Sequence, residues 1–355
     1  MNAAMNWQAI WSQLQREALV SESEAKAPDL PMQKEAAPPL PRILLGLGGW
    51  IAGIMILLSL AAPFSAFFYS REFPLVVGVL LLAGAWFMYL RASGSEFLAQ
   101  LAFAISIAGQ IAMTVFFAKL HAIASTALAV AVMQCVLVLL IKQPQHRTVS
   151  ALFAFAALAT ACAEWRIAAA YPAIVAVIAV AIWRLEPLWV AAGQDERLRP
   201  VGFAAWFTLL LVCTLGFADL VKAYAIKPET TGVLMGAVWV IAVGLASRRV
   251  SLRDRMLALA GALGLAASCW QAPGLLASAI ALLIAFGRGT RLGHVGVTVS
   301  LIAMVAYLFA YYRQTETTLL AKSVTLAAAA VALWVSAVVM KFTQTPAQSQ
   351  PGDGA

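Results

Sequence analysis

Residues 97–118, FLAQLAFAISIAGQIAMTVFFA, decide the fold class. They carry no Asp, Glu, Lys or Arg over roughly 20 positions, the length a helix needs to cross a ~30 Å hydrocarbon layer. Backbone amides find no water inside such a layer, so a run of this kind must satisfy its hydrogen bonds internally, as a helix. Gln110 stands near the middle, with Ser106 one turn earlier and Gln100 nearer the start. A side-chain amide surrounded by hydrocarbon is costly without a partner. This Gln/Ser side is therefore expected to face other helices.

Outward from that stretch the pattern repeats: an apolar span, a very short turn, the next span. The spans read as residues 43–62, 74–90, 97–118, 122–141, 148–164, 167–184, 201–221, 231–246, 256–270, 273–287, 292–311 and 318–340. The fold class is all-α, a polytopic integral membrane helix bundle with about 12 transmembrane helices. Two short spans, 256–270 and 273–287, have the length of shallow or re-entrant segments. Composition agrees: 63% of the 355 residues are hydrophobic and 11% charged, against ~25% charged in soluble domains. The net charge of +8 does not point to nucleic acid, because the basic residues sit in turns between apolar spans. There they set orientation. With a cytoplasmic N-terminus, seventeen of the 24 Lys and Arg residues fall on the cytoplasmic side. That bias gives N-in, C-in and an even number of spans.

Residues 1–41 form the one long polar stretch, expected to be a cytoplasmic tail. Trp7, Ile10, Trp11, Leu14 and Ala18 recur at helical spacing, an amphipathic helix suited to a membrane interface or to packing on the protein itself. Pro28, Pro31, Pro38, Pro39 and Pro41 make an extended tether after it. The transmembrane domain is expected over 42–342, and 343–355 as a disordered tail. Arg42, Arg147 and Arg255 open blocks at similar intervals. Three parallel four-helix units and mere compositional likeness both account for this.

No grouped nucleophile, base or metal ligands stand out. His121, His146 and His294 lie in different turns, no HExxH is present, and Cys135, Cys162, Cys213 and Cys269 fall inside apolar spans as small packing residues. No catalytic residue, metal or cofactor is expected. Gly287–Gly293 is a basic turn rather than a phosphate loop, since no strand or Lys-Ser/Thr accompanies it. Gly49/Gly53 and Gly232/Gly236 have the spacing that lets helix backbones approach. The candidate functional polar residues are Gln110 at a span centre and Glu164, Asp219, Glu316 and Lys322 at the outer boundary. Asp219 and Lys322 reach furthest into apolar sequence, and either pair with each other or snorkel to the headgroups.

The run Arg42-Ile43-Leu44-Leu45-Gly46-Leu47-Gly48-Gly49-Trp50 resembles a bacterial membrane family known as a domain of unknown function, DUF4401. The likeness continues in residues 97–110, in His146-Arg147-Thr148-Val149-Ser150, and in Tyr311-Tyr312 followed by Leu319-Leu320-Ala321-Lys322-Ser323. Residues Trp11-Ser12-Gln13-Leu14-Gln15 fit its style too. The polar run RQTETT before Leu319 departs from it. The resemblance implies a multi-pass protein of the bacterial inner (cytoplasmic) membrane and, as a partner beside the lipid bilayer, a membrane or periplasmic protein with a GDYxxLxY motif. It brings no activity and no catalytic residues. Three function classes follow. A membrane scaffold or assembly component working with an envelope partner ranks first, and a transporter of a small neutral solute second. An integral-membrane enzyme ranks third.

Overall fold

The computed structural model describes residues 70, 72–91, 95–120, 122–216, 226–249, 251–286 and 293–314, with short helical stretches within 47–58 and 320–331. Helices account for its regular structure, and no strand occurs among the described residues. In chain order they are α1 (Phe73–Arg91), α2 (Glu96–Leu120), α3 (Ile123–Leu140), α4 (Pro144–Glu164), α5 (Tyr171–Arg184), α6 (Glu186–Ala191), α7 (Asp195–Leu210), α8 (Pro228–Ala246), α9 (Leu252–Ser268), α10 (Pro273–Ala285) and α11 (Gly293–Gln314). A π-helical turn, Leu211–Leu215, extends α7.

The starts of these helices follow local chemistry. Proline occupies the first turn of α4, α5, α6, α8 and α10, where its missing N–H is an orphan anyway. Ser251 caps α9: its Oγ accepts the Asp254 N–H at 3.2 Å and donates to that carboxylate at 2.7 Å.

Among the described residues, seven helices are long and apolar enough to cross a membrane: α1, α2, α3, α4, α7 with its π turn, α8 and α11. They coincide with seven of the twelve expected spans. The expected spans at 167–184 and 273–287 are shorter apolar helices, ending in α5 and forming α10. The one at 256–270 is the 17-residue α9. The first and last expected spans lie largely outside the described residues, as do the expected tails. The α10 helix has 13 residues, about 20 Å of helix, short of a ~30 Å hydrocarbon layer.

Yet α10 is where the core sits. All of its residues except Leu283 are buried, enclosed by α5, α7, α8 and α11. A short helix at membrane depth is tolerated where protein covers its ends, and its Trp206 and Tyr307 neighbours do so. The Trp206 indole donates to the Ala281 carbonyl at 3.3 Å. A Cβ on Gly274 would strike the Tyr307 ring. Of the cysteines, Cys162, Cys213 and Cys269 are buried as expected, whereas Cys135 faces outward from α3.

The other half of the molecule is built from two hairpins, α1–α2 and α3–α4. Lys119 at the end of α2 donates to the Ser70 carbonyl just before α1, at 2.8 Å. A Cβ on Gly109 would lie 3.1 Å from the Gly78 carbonyl oxygen, so these two backbones touch. On its other side α2 receives the helical stretch around residues 47–55. A Cβ on Gly49 would stand 2.7 Å from the Phe97 carbonyl oxygen, and one on Gly53 would strike Ala104. The Gly49/Gly53 spacing is therefore a packing face, and so is Gly232/Gly236, whose Cβ positions meet Trp270 and Ala266.

Candidate functional site

Where the two hairpins meet, the packing turns polar. Gln110 is 3% exposed and stands on the face of α2 that carries Ser106, one turn earlier. Gln134 of α3 donates from Nε2 to Gln110 Oε1 at 2.9 Å. Gln110 Nε2 donates to Ser106 Oγ at 3.2 Å and lies 3.4 Å from His146 Nε2. Ser106 Oγ is 2.7 Å from the same ring nitrogen, and Ser150 Oγ, one turn along α4, is 3.3 Å from Nδ1. The Tyr89 and Phe103 rings stand edge-on to the imidazole, at 5.7 and 6.0 Å between centroids. One turn nearer the start of α2, Gln100 Nε2 donates to Gln145 Oε1 at 2.8 Å. The seam thus links α1, α2, α3 and α4 through one imidazole.

Two buried atoms in this seam have no hydrogen-bond partner: Gln134 Oε1 and the Tyr89 hydroxyl. Buried polar atoms of this kind cost on the order of 1–3 kcal/mol each. Leucines at both 110 and 134 would avoid the first of these costs.

Arg147, the next residue after His146, has a different task. It is 2% exposed. Its Nε donates to the Val138 and Ile141 carbonyls at 3.0 and 2.7 Å, and its Nη1 to the Glu196 carbonyl at 2.6 Å. The first two acceptors belong to the end of α3, whose last carbonyls have no helical partner and carry the negative end of the helix dipole. Arg147 therefore clamps the α3–α4 turn to the start of α7. It sits inside the protein, not in the open basic turn that its role in orientation suggested.

Of the candidate residues, Gln110 is where the sequence placed it, bonded across helices. Glu164 is exposed at the far end of α4, away from the seam. Asp219, Glu316 and Lys322 lie outside the described residues, and with them the expected ion pair. His146 was assigned to a turn and was missed. The signal was Pro144: as a first-turn residue it starts α4 at 144 instead of 148, which puts His146 and Ser150 one turn apart on one face.

Seven apolar helices of spanning length among the described residues, with a polar seam buried between two hairpins, have the length and composition of a membrane-embedded protein. The family model described as "Domain of unknown function (DUF4401)" matches residues 40–342, and the chain belongs to that family. No curated protein and no solved structure matches it.

Proposed function

We propose that the protein passes a small uncharged polar solute across a bacterial cytoplasmic membrane, by movement of the α1–α2 hairpin against α3–α4 along the polar seam. One observation carries this reading: an ionisable side chain, His146, sits in a buried chain of neutral donors and acceptors between membrane helices. Leucine would pack there more cheaply, and ionisable residues inside spans mark pathways and relays. The sequence reading ranked an assembly role first because the span centres held amides and almost no charge. An imidazole in contact with Gln110 reverses that order. The assembly role, with a GDYxxLxY-bearing envelope partner, ranks second on the family resemblance, and co-purification from native membranes tests it.

The test is reconstitution into vesicles and reswelling after an osmotic step, with urea and glycerol as probes. The wild-type protein should admit at least one of them faster than protein-free vesicles do, and Gln110→Leu should lower that rate several-fold. Equal rates with and without protein for both probes would overturn the reading. The proposed topology has both ends in the cytoplasm and therefore an even number of spans. A cytoplasm-only reporter should be active after Gly193 and silent after Lys227.

A further inference from the structure

The direction of the hydrogen-bond chain carries one step more, which rests on the transport reading. Gln134 Nε2 donates to Gln110 Oε1, and this leaves Gln110 Nε2 as the atom turned toward Ser106 and His146. A side-chain amide nitrogen only donates. In that arrangement His146 Nε2 is placed to accept from Gln110 and from the Ser106 hydroxyl, which assigns a neutral imidazole with its proton on Nδ1, facing Ser150 Oγ. Every bond runs one way, from α3 through α2 to α4.

A proton on His146 Nε2 would be donated to Ser106 Oγ and would set the same N–H against the Gln110 NH2. The contact is restored if the Gln110 amide turns over, so that Oε1 faces the ring and Nε2 faces α3. Gln134 then turns over as well and accepts through Oε1, the atom that has no partner now. The reversed chain holds as many bonds as the original, with the unpartnered end exchanged from carbonyl to amine. We propose that His146 is a proton-binding site whose occupancy sets the direction of this chain, so that passage through the seam is coupled to a proton. The proton is taken from hydronium, whose O–H bond breaks as the Nε2–H bond forms, and the reverse step returns it to water. Facing the ring are Tyr89 from α1, Phe103, Ser106 and Gln110 from α2, and Ser150 from α4 itself. The phenol of Tyr89 is the titratable group among them. The Arg147 guanidinium is turned toward the carbonyls of Val138, Ile141 and Glu196.

The chain has three histidines, so nitrogen-15 labelling of histidine gives a resolvable NMR spectrum of the full-length protein in micelles. A second sample labelled at glutamine shows the Gln110 and Gln134 side-chain amides as the signals lost in Gln110→Leu and Gln134→Leu. The His146 signals are those lost in His146→Gln. Should that variant fail to fold, they are the ones moved by Ser106→Ala. The expected result at neutral pH is the Nδ1–H tautomer. On acidification it should convert to the doubly protonated ring in one step, and the side-chain amide signals of Gln110 and Gln134 should move at the same midpoint. An Nε2–H tautomer at neutral pH, or amide signals that ignore the histidine step, would overturn the proposal. The measurement needs no transport, so a failed permeation assay and a failed proton switch are told apart.

Discussion

Around α10 the helices touch mainly through aliphatic and aromatic side chains and bare backbone, whereas between α2 and α4 they touch through amides, hydroxyls and an imidazole. Leu276 and Ile280 of α10 are fully buried, and α8 comes so close to the α9–α10 turn that a Cβ on Gly232 would overlap the Trp270 carbonyl. Lipid tails are as apolar as leucine, so close packing rather than water exclusion must hold such helices together. That kind of contact is short in range and has one good arrangement. The seam is the reverse case. Its bonds are few and directional, they connect elements that share little backbone contact, and they can be remade in another sense. The apolar half is built to stay and the polar seam to change.

The largest expected effects therefore lie in the apolar half. Gly232→Ala pushes α8 away from Trp270, a strain of about 3 kcal/mol at the upper end of overpacking costs. Leu276→Ala leaves a cavity inside α10's sheath and should cost about 2–5 kcal/mol. Thermal unfolding of the detergent-solubilised protein measures both. If either variant unfolds later than Gln110→Leu, the division into a fixed half and a changeable seam breaks.

A smaller loss is expected within the seam. Gln110→Leu removes bonds worth ~0.6 kcal/mol each, and ~2 at most, in membrane helices, but it also strands the buried Gln134 amide. Adding Gln134→Leu removes the stranded group, so the double variant should lose less than the sum of the two single losses. Strictly additive losses would mean that the two amides do not act as one chain.

Much of this contrast could be read from residue order. Charge-free runs bounded by turns gave helices at the expected places. The Gly49/Gly53 and Gly232/Gly236 spacings marked close approaches, and Gln110 with Ser106 marked an inward polar face. Two things were hidden. The role of the short helices in the second half was hidden because hydropathy cannot separate a helix that crosses lipid from one, like α10, that is buried in other helices. The partner of Gln110 was hidden because His146 follows Lys142 and precedes Arg147, a neighbourhood that reads as a wetted basic turn. Arg147 is instead consumed by helix-end carbonyls, and only that clamp lets its neighbour lie dry against α2. Nothing local in the order of residues announces that two carbonyls from α3 and one from α7 converge there.

The smallest expected effect is at Arg166, exposed in the turn that closes α4, and it serves as the control for both regions. The helix closes with the Arg166 N–H bonded to Ala163 O at 3.0 Å and the Ile167 N–H to Cys162 O at 2.8 Å. This paired closure requires a left-handed residue, and Arg166 supplies it at φ 59°. After α6 the same closure is made by Gly193 at φ 68°, with its N–H on Val190 O and that of Gln194 on Trp189 O. A side chain in that conformation costs roughly 1–2 kcal/mol, and glycine would relieve it at the expense of a looser unfolded chain. Arg166→Gly should therefore stabilise the protein by at most about 1 kcal/mol. It should leave the His146 spectrum and the solute permeation rate unchanged, because the substitution steadies α4 without touching its other end. A change in the His146 signals would show that strain at one end of α4 is felt at the other, and the seam could then no longer be treated as an independent element.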